Sequence, residues 1–165
     1  MISGLDVSGR RDAFRFVLGV IFNQQVSAEQ AWRAPDLLME RTGATDARTL
    51  ARVPLGEVHA AISSAPALHP FASSMALNVA GAAEIVVNDF SGDARRIWTP
   101  VADASTLTRR FEKFRGIGAH KAEVALFLLT VEQGVVVEDD GRRRNTGTSC
   151  SRLGDAFGRE APILV

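Results

Sequence analysis

The chain has 165 residues, 46% of them hydrophobic, enough for one or two small globular units with a buried core. Nineteen basic and nineteen acidic side chains cancel to a formal net charge of 0, so a nucleic-acid partner requires positive charge gathered on one face. No apolar run reaches membrane-spanning length, the start MISGLDVSGRRDAF lacks the order of a signal peptide, and the single cysteine, Cys150, excludes an internal disulfide and a four-cysteine iron–sulfur or metal site.

The expectation is a cytoplasmic protein with no membrane partner, and its elements read in chain order as helices. Arg10 to Gln24 sets Phe14, Val17, Leu18, Ile21 and Phe22 at three- and four-residue spacings, one face of a deeply buried helix. The polar triplet Asn23, Gln24, Gln25 ends it. Ser27, with Glu29 two residues on, starts a second helix carrying Ala31, Trp32, Leu37 and Leu38, which Pro35 is expected to bend or divide and Gly43 to close. Trp32 and Phe22 read as core. Asp46 to Val53 begins on an N-cap residue type, and Pro54 to Ser63 carries proline where a helix's first turn tolerates it.

Beyond a loop fenced by Pro66 and Pro70, Ser74 to Asp89 is a long helix with Met75, Val79, Ala82, Ile85 and Val86 on one side, ended by Phe90-Ser91-Gly92-Asp93. Asp103 or Ser105 caps a helix running to Phe114 with Leu107 and Phe111 inward. Ala119 to Gln133 then holds Val124, Leu126, Phe127 and Leu128 in a nearly all-round apolar, central helix. Only Gly134 to Val137 offers a strand-like stretch, so the fold class is all-α. The expected organisation is a compact multi-helix domain over residues 1–137, with room for a cleft between two lobes, followed by a poorly ordered tail at 138–165, rich in Arg, Gly, Ser and Thr.

The most informative stretch is Phe111 to Lys121, FEKFRGIGAHK. Gly116 and Gly118 make a Gly-x-Gly corner between two helices, which leaves bare N–H groups at the start of the second. Arg109, Arg110, Lys113, Arg115 and Lys121 flank it against one acid, Glu112, adding formal charge to the helix dipole. A phosphate is the expected guest.

Three segments in order, Gly19-Val20-Ile21-Phe22-Asn23-Gln24-Gln25-Val26-Ser27, Phe71-Ala72-Ser73-Ser74-Met75-Ala76 and the corner itself, resemble the helix-hairpin-helix (HhH-GPD) DNA glycosylase superfamily. Within it the chain looks closest to small bacterial proteins described as base-excision-repair-type, and the resemblance spans Phe14 to Val137. It implies a domain of the DNA glycosylase type that binds double-stranded DNA as a monomer, in the cytoplasm with the bacterial nucleoid. Gln25, or Gln24 beside it, would be the wedge that meets the orphaned partner base once a nucleotide is rotated out of the duplex. Gly116, Ile117 and Gly118, with Ala119 and His120 on the first turn, would hold a phosphate 3′ to the lesion. Arg115 and Lys121 would reinforce that contact, and the hairpin carbonyls might share a monovalent cation. No other cofactor and no protein-held metal is implied.

The chain departs from the family at two points. Members with a lysine nucleophile carry it two residues after the hairpin's second glycine, where this chain has His120. Lys121 lies about 100° further round the helix, so it is expected to point elsewhere, which favours a monofunctional mechanism using water. The family's aspartate, eighteen residues on, falls at Glu138, followed by Asp139 and Asp140. Glu138 and Asp139 are the candidate catalytic carboxylates. The expected function is a base-excision glycosylase that hydrolyses the N-glycosidic bond of a flipped, damaged base; the alternative is a non-catalytic DNA-binding protein that keeps the hairpin for phosphate binding.

Overall fold

A computed structural model describes residues 4–140. Among these the chain forms α1 (Arg10–Phe22), α2 (Ala28–Thr42), α3 (Ala47–Ala51), α4 (Leu55–Ser63), α5 (Ala72–Asp89), α6 (Ala104–Glu112) and α7 (Ala119–Phe127). A 3₁₀ turn, Ala94–Ile97, separates α5 from α6, and α7 runs on as a π-helical turn, Leu128–Glu132. The fold is therefore all-α. Gly134 to Val137 is not a strand, and among the described residues the β structure is a single parallel bridge between Asp103 and Glu138. No described helix is long and apolar enough to cross a membrane.

Local chemistry sets most helix boundaries. The Ser27 hydroxyl accepts from the Gln30 N–H to start α2, and Gly43, at φ 74°, closes it in the left-handed conformation. Pro35 neither divides nor ends α2, which runs through it with the proline ring buried. Asp46 and Thr49 exchange side chain for backbone in a capping box that starts α3, short as it is. At α6 the cap is Asp103, whose carboxylate accepts from the Thr106 N–H at 2.7 Å.

α1 is the central element, packed against α2, α5 and the 3₁₀ turn, while α3 and α4 lie on α5 and α6 pairs with α7. Its Phe16 is wholly buried and begins an aromatic chain: Trp32 at 5.7 Å, Trp98 edge-on at 6.0 Å and Phe111 at 6.4 Å between ring centroids. From Phe111 the chain passes to Phe114, which stacks on Phe90 at 6.3 Å. Such pairs contribute about 0.5–1.5 kcal/mol each beyond area burial. They fix α6 and the loop after it against the end of α5.

The expected tail begins with residues that the fold holds. The Glu138 N–H donates to the Ala102 carbonyl at 3.0 Å, and the Glu138 carbonyl accepts from the Ala104 N–H at 3.2 Å. Residues 141–165 of the expected tail, and Cys150 with them, lie outside the described residues.

Candidate functional site

The turn between α1 and α2 is tight. The Asn23 N–H donates to the Gly19 carbonyl at 3.1 Å, the Gln24 N–H to Phe22 at 2.7 Å, and Gln25 sits at φ 55°. A non-glycine residue in that left-handed region is uncommon. The turn is held from outside by His69, which is 1% exposed. The His69 Nδ1 accepts from the Phe71 N–H at 3.0 Å, so the ring proton belongs on Nε2, which donates to the Gln24 carbonyl at 2.8 Å. Burial pushes the imidazole below its ordinary pKa; the Gln24 contact opposes that shift and nearby Lys121 adds to it. A neutral histidine thus clamps the turn, and Gln24 and Gln25 are left exposed.

The second clamp is Lys121. Its ammonium donates to the Ile21 carbonyl at 3.0 Å, in the last turn of α1. Lys121 therefore lies on the side of the glutamines, lining one pocket with them, which the 100° step alone does not anticipate. Burial lowers its amine to about 8.

Between the turn and the start of α7 lies a pocket of about 220 Å³ lined by Val20, Asn23, Gln24, Gln25, Val26, Ala28, Trp32, His120, Lys121, Val124 and Leu128. It is smaller than the about 300–1,000 Å³ typical of drug-sized ligands, which suits a guest of one ring system. Trp32 reaches it because α1 carries glycine at the crossing: a Cβ on Gly19 would lie 2.1 Å from two indole carbons. Trp32 is thus half core and half pocket wall.

The Gly-x-Gly corner is built differently. Gly116 adopts φ 89°, and a Cβ there would come within 2.6 Å of the Asn78 Nδ2, so a side chain is excluded by both conformation and space. Ile117, 3% exposed, is an anchor: its side chain enters the core and its N–H donates to the Phe114 carbonyl at 3.0 Å. Gly118 caps α7 with no side-chain bond, and the first-turn N–H groups of Gly118 and Ala119 have no intrahelical acceptor. Arg115 and His120 are exposed on either side. Of the flanking cations, Arg110 donates to the Ile97 carbonyl at 2.7 Å, Arg109 to the Thr106 hydroxyl at 3.2 Å, and Lys113 pairs with Asp89 at 3.8 Å.

None of the three acids after Val137 lines the pocket. Asp140 accepts from the Ser105 N–H at 3.0 Å and from its hydroxyl, at the start of α6. Glu138 is held through its backbone, and the side chains of Glu138 and Asp139 are exposed. The fold therefore gathers Gln24, Gln25, His120 and Lys121 at one pocket, with Arg115 to Gly118 in the loop and Ala119 opening α7 beside it, and keeps Glu138 and Asp139 off its wall. His69 and Asn78, which shape the turn and the corner, carry no sequence motif. Their only signal is a polar residue amid apolar neighbours, Leu68-His69 and Leu77-Asn78-Val79.

No protein-family model and no curated protein matches the sequence. Among solved structures the chain is similar to endonuclease III in a trapped covalent intermediate with DNA, the estranged-adenine complex. The TM-score is 0.52 at 20% identity, over 78% of this chain and 52% of that one. The chain thus has the all-α fold of endonuclease III and spans about half of that chain's length.

Proposed function

We propose that the protein is a base-excision DNA glycosylase, acting as a monomer on double-stranded DNA in the cytoplasm, where the bacterial nucleoid lies. The observation that carries this reading is the pocket: scaled to a single base, walled by Trp32 and valines, and opening between the glutamine turn and the first turn of α7. In a chain with the endonuclease III fold, that is where an extruded base would lodge. Gln25 or Gln24 takes the space the base vacates. The N–H groups of Gly118, Ala119 and His120 bind a backbone phosphate, with Arg115 beside them. Gly116 and Ile117, the latter with its N–H on the Phe114 carbonyl, form the corner that holds that phosphate, and Lys121 works in the pocket.

A monovalent cation would sit on the hairpin carbonyls. Those of Phe114 and Gly118 each accept one backbone bond and keep a second lone pair, so the loop has oxygens to offer. Its charge would reinforce phosphate binding. Glu138, with Asp139 next to it, supplies the carboxylate that orients water in monofunctional hydrolysis.

The test is to incubate the protein with duplexes carrying uracil, hypoxanthine, alkylated purines or oxidised bases, then cleave abasic sites with alkali. A product above background on at least one lesion, lost in Glu138→Gln or Asp139→Asn, supports the reading; no product on any lesion defeats it. That Glu138 and Asp139 stay off the pocket wall favours a second reading, a DNA-binding protein without chemistry. It predicts salt-dependent duplex binding, weakened by Arg115→Ala, with no base release.

A further inference from the structure

We infer that the pocket accepts a neutral extruded base and rejects cationic N-alkylated purines. This rests on the reading of the pocket as the seat of an extruded base. Among the described residues no aspartate or glutamate lines the cavity, and the one lysine there, Lys121, is anchored by the Ile21 carbonyl. That bond uses one of the ammonium's three N–H groups; the remaining two donate, and the group cannot accept.

The amides of Asn23, Gln24 and Gln25 around the same space both donate and accept, and carry no charge. A neutral base can meet the free donors of Lys121 with a ring nitrogen or a carbonyl oxygen at no electrostatic cost. An alkylated purine brings a formal positive charge to within a few ångströms of a half-buried ammonium, where repulsion is worth on the order of tenfold or more in binding.

Trp32 argues the other way, because an indole face attracts a cationic ring. The two effects are separable, since Lys121 and Trp32 come from different helices and do different work. Burial lowers the Lys121 amine to about 8, which leaves it mostly protonated at neutral pH. His120 and His69, the titratable neighbours, add no negative charge. With Lys121 in place repulsion decides, and without it the indole does.

Equilibrium binding at pH 7 to duplexes of one sequence, undamaged or carrying a single uracil, hypoxanthine, 8-oxoguanine or 7-methylguanine, tests this for the wild type and Lys121→Met. The wild type should bind the uncharged lesions about tenfold more tightly than 7-methylguanine, and Lys121→Met should erase or invert that order. Wild-type preference for 7-methylguanine, or an unchanged order in a folded Lys121→Met, overturns the inference. Should that variant fail to fold, the wild-type order alone decides. Equal binding to every duplex, undamaged included, overturns the inference and leaves DNA binding intact, whereas no binding to any duplex at low salt removes the proposed function itself. The expected order without base release upholds the inference and removes only the chemistry.

Discussion

The two corners that frame the pocket are both helix–turn–helix joints, yet they are held by different physics. The α6–α7 corner rests on sterics: Gly116 fits where no Cβ can, and Phe114 and Ile117 sink into the core beside it. The α1–α2 turn has no glycine and puts Gln25 at φ 55°, so it relies on two side chains reaching in from other elements, His69 and Lys121. A corner held by volume is indifferent to pH. One held by an imidazole and an amine is not.

The comparison can be broken most severely at Gly116. Gly116→Ala forces a Cβ into the left-handed region and against Asn78, and should destabilise the fold by about 2–3 kcal/mol in urea denaturation. Asn78→Ala in the same chain should recover only the part due to overlap. A loss below about 0.5 kcal/mol would show that the corner is not sterically set.

At the other turn, His69→Ala should cost about 1–3 kcal/mol, since it leaves the Gln24 carbonyl and the Phe71 N–H without their partner. His69→Gln, which can both donate and accept, should recover part of that loss. The folded pKa of His69 lies below its ordinary 6.5, so the unfolded chain binds more protons as pH falls. Its stabilisation is complete above 6.5 and is lost as pH drops through the lower folded value. Thermal midpoints of the wild type should therefore decline through that window more steeply than those of His69→Gln.

Lys121 sharpens the same contrast at the alkaline end. Its folded pKa of about 8 lies below 10.5, so stability should rise as pH climbs between the two, and Lys121→Met should remove that rise. The smallest effect is expected at the rim of the hairpin. Lys113→Ala breaks a surface ion pair with Asp89 and should change stability by less than about 1 kcal/mol. If Lys113 also meets a phosphate, the log–log salt slope of duplex binding should fall by about one.

Much of this architecture is written locally. Phe14, Val17, Leu18, Ile21 and Phe22 announce α1 by their period, and Ser27, Asp46 and Asp103 mark starts because a cap needs only its own next few residues. The 3₁₀ turn at Ala94–Ile97 is harder to read, as it is short and depends on Asp93, which caps it while pairing with Arg10 and Arg95. The site was legible in part. The Gly-x-Gly corner and the glutamines stand out as motifs, but the direction of Lys121 is decided by an acceptor 100 residues earlier in the chain, and that of His69 by one 45 residues earlier. Such contacts have no local signature.

The bridge between Asp103 and Glu138 has a practical consequence. Because position 138 is gripped by its peptide groups while its side chain stands in solvent, the residue there is interchangeable as far as folding is concerned. Glu138→Asp, Glu138→Gln and Glu138→Ala should melt together with the wild type. Any difference among them in base release would then report the chemical identity of one exchangeable group, uncontaminated by the scaffold.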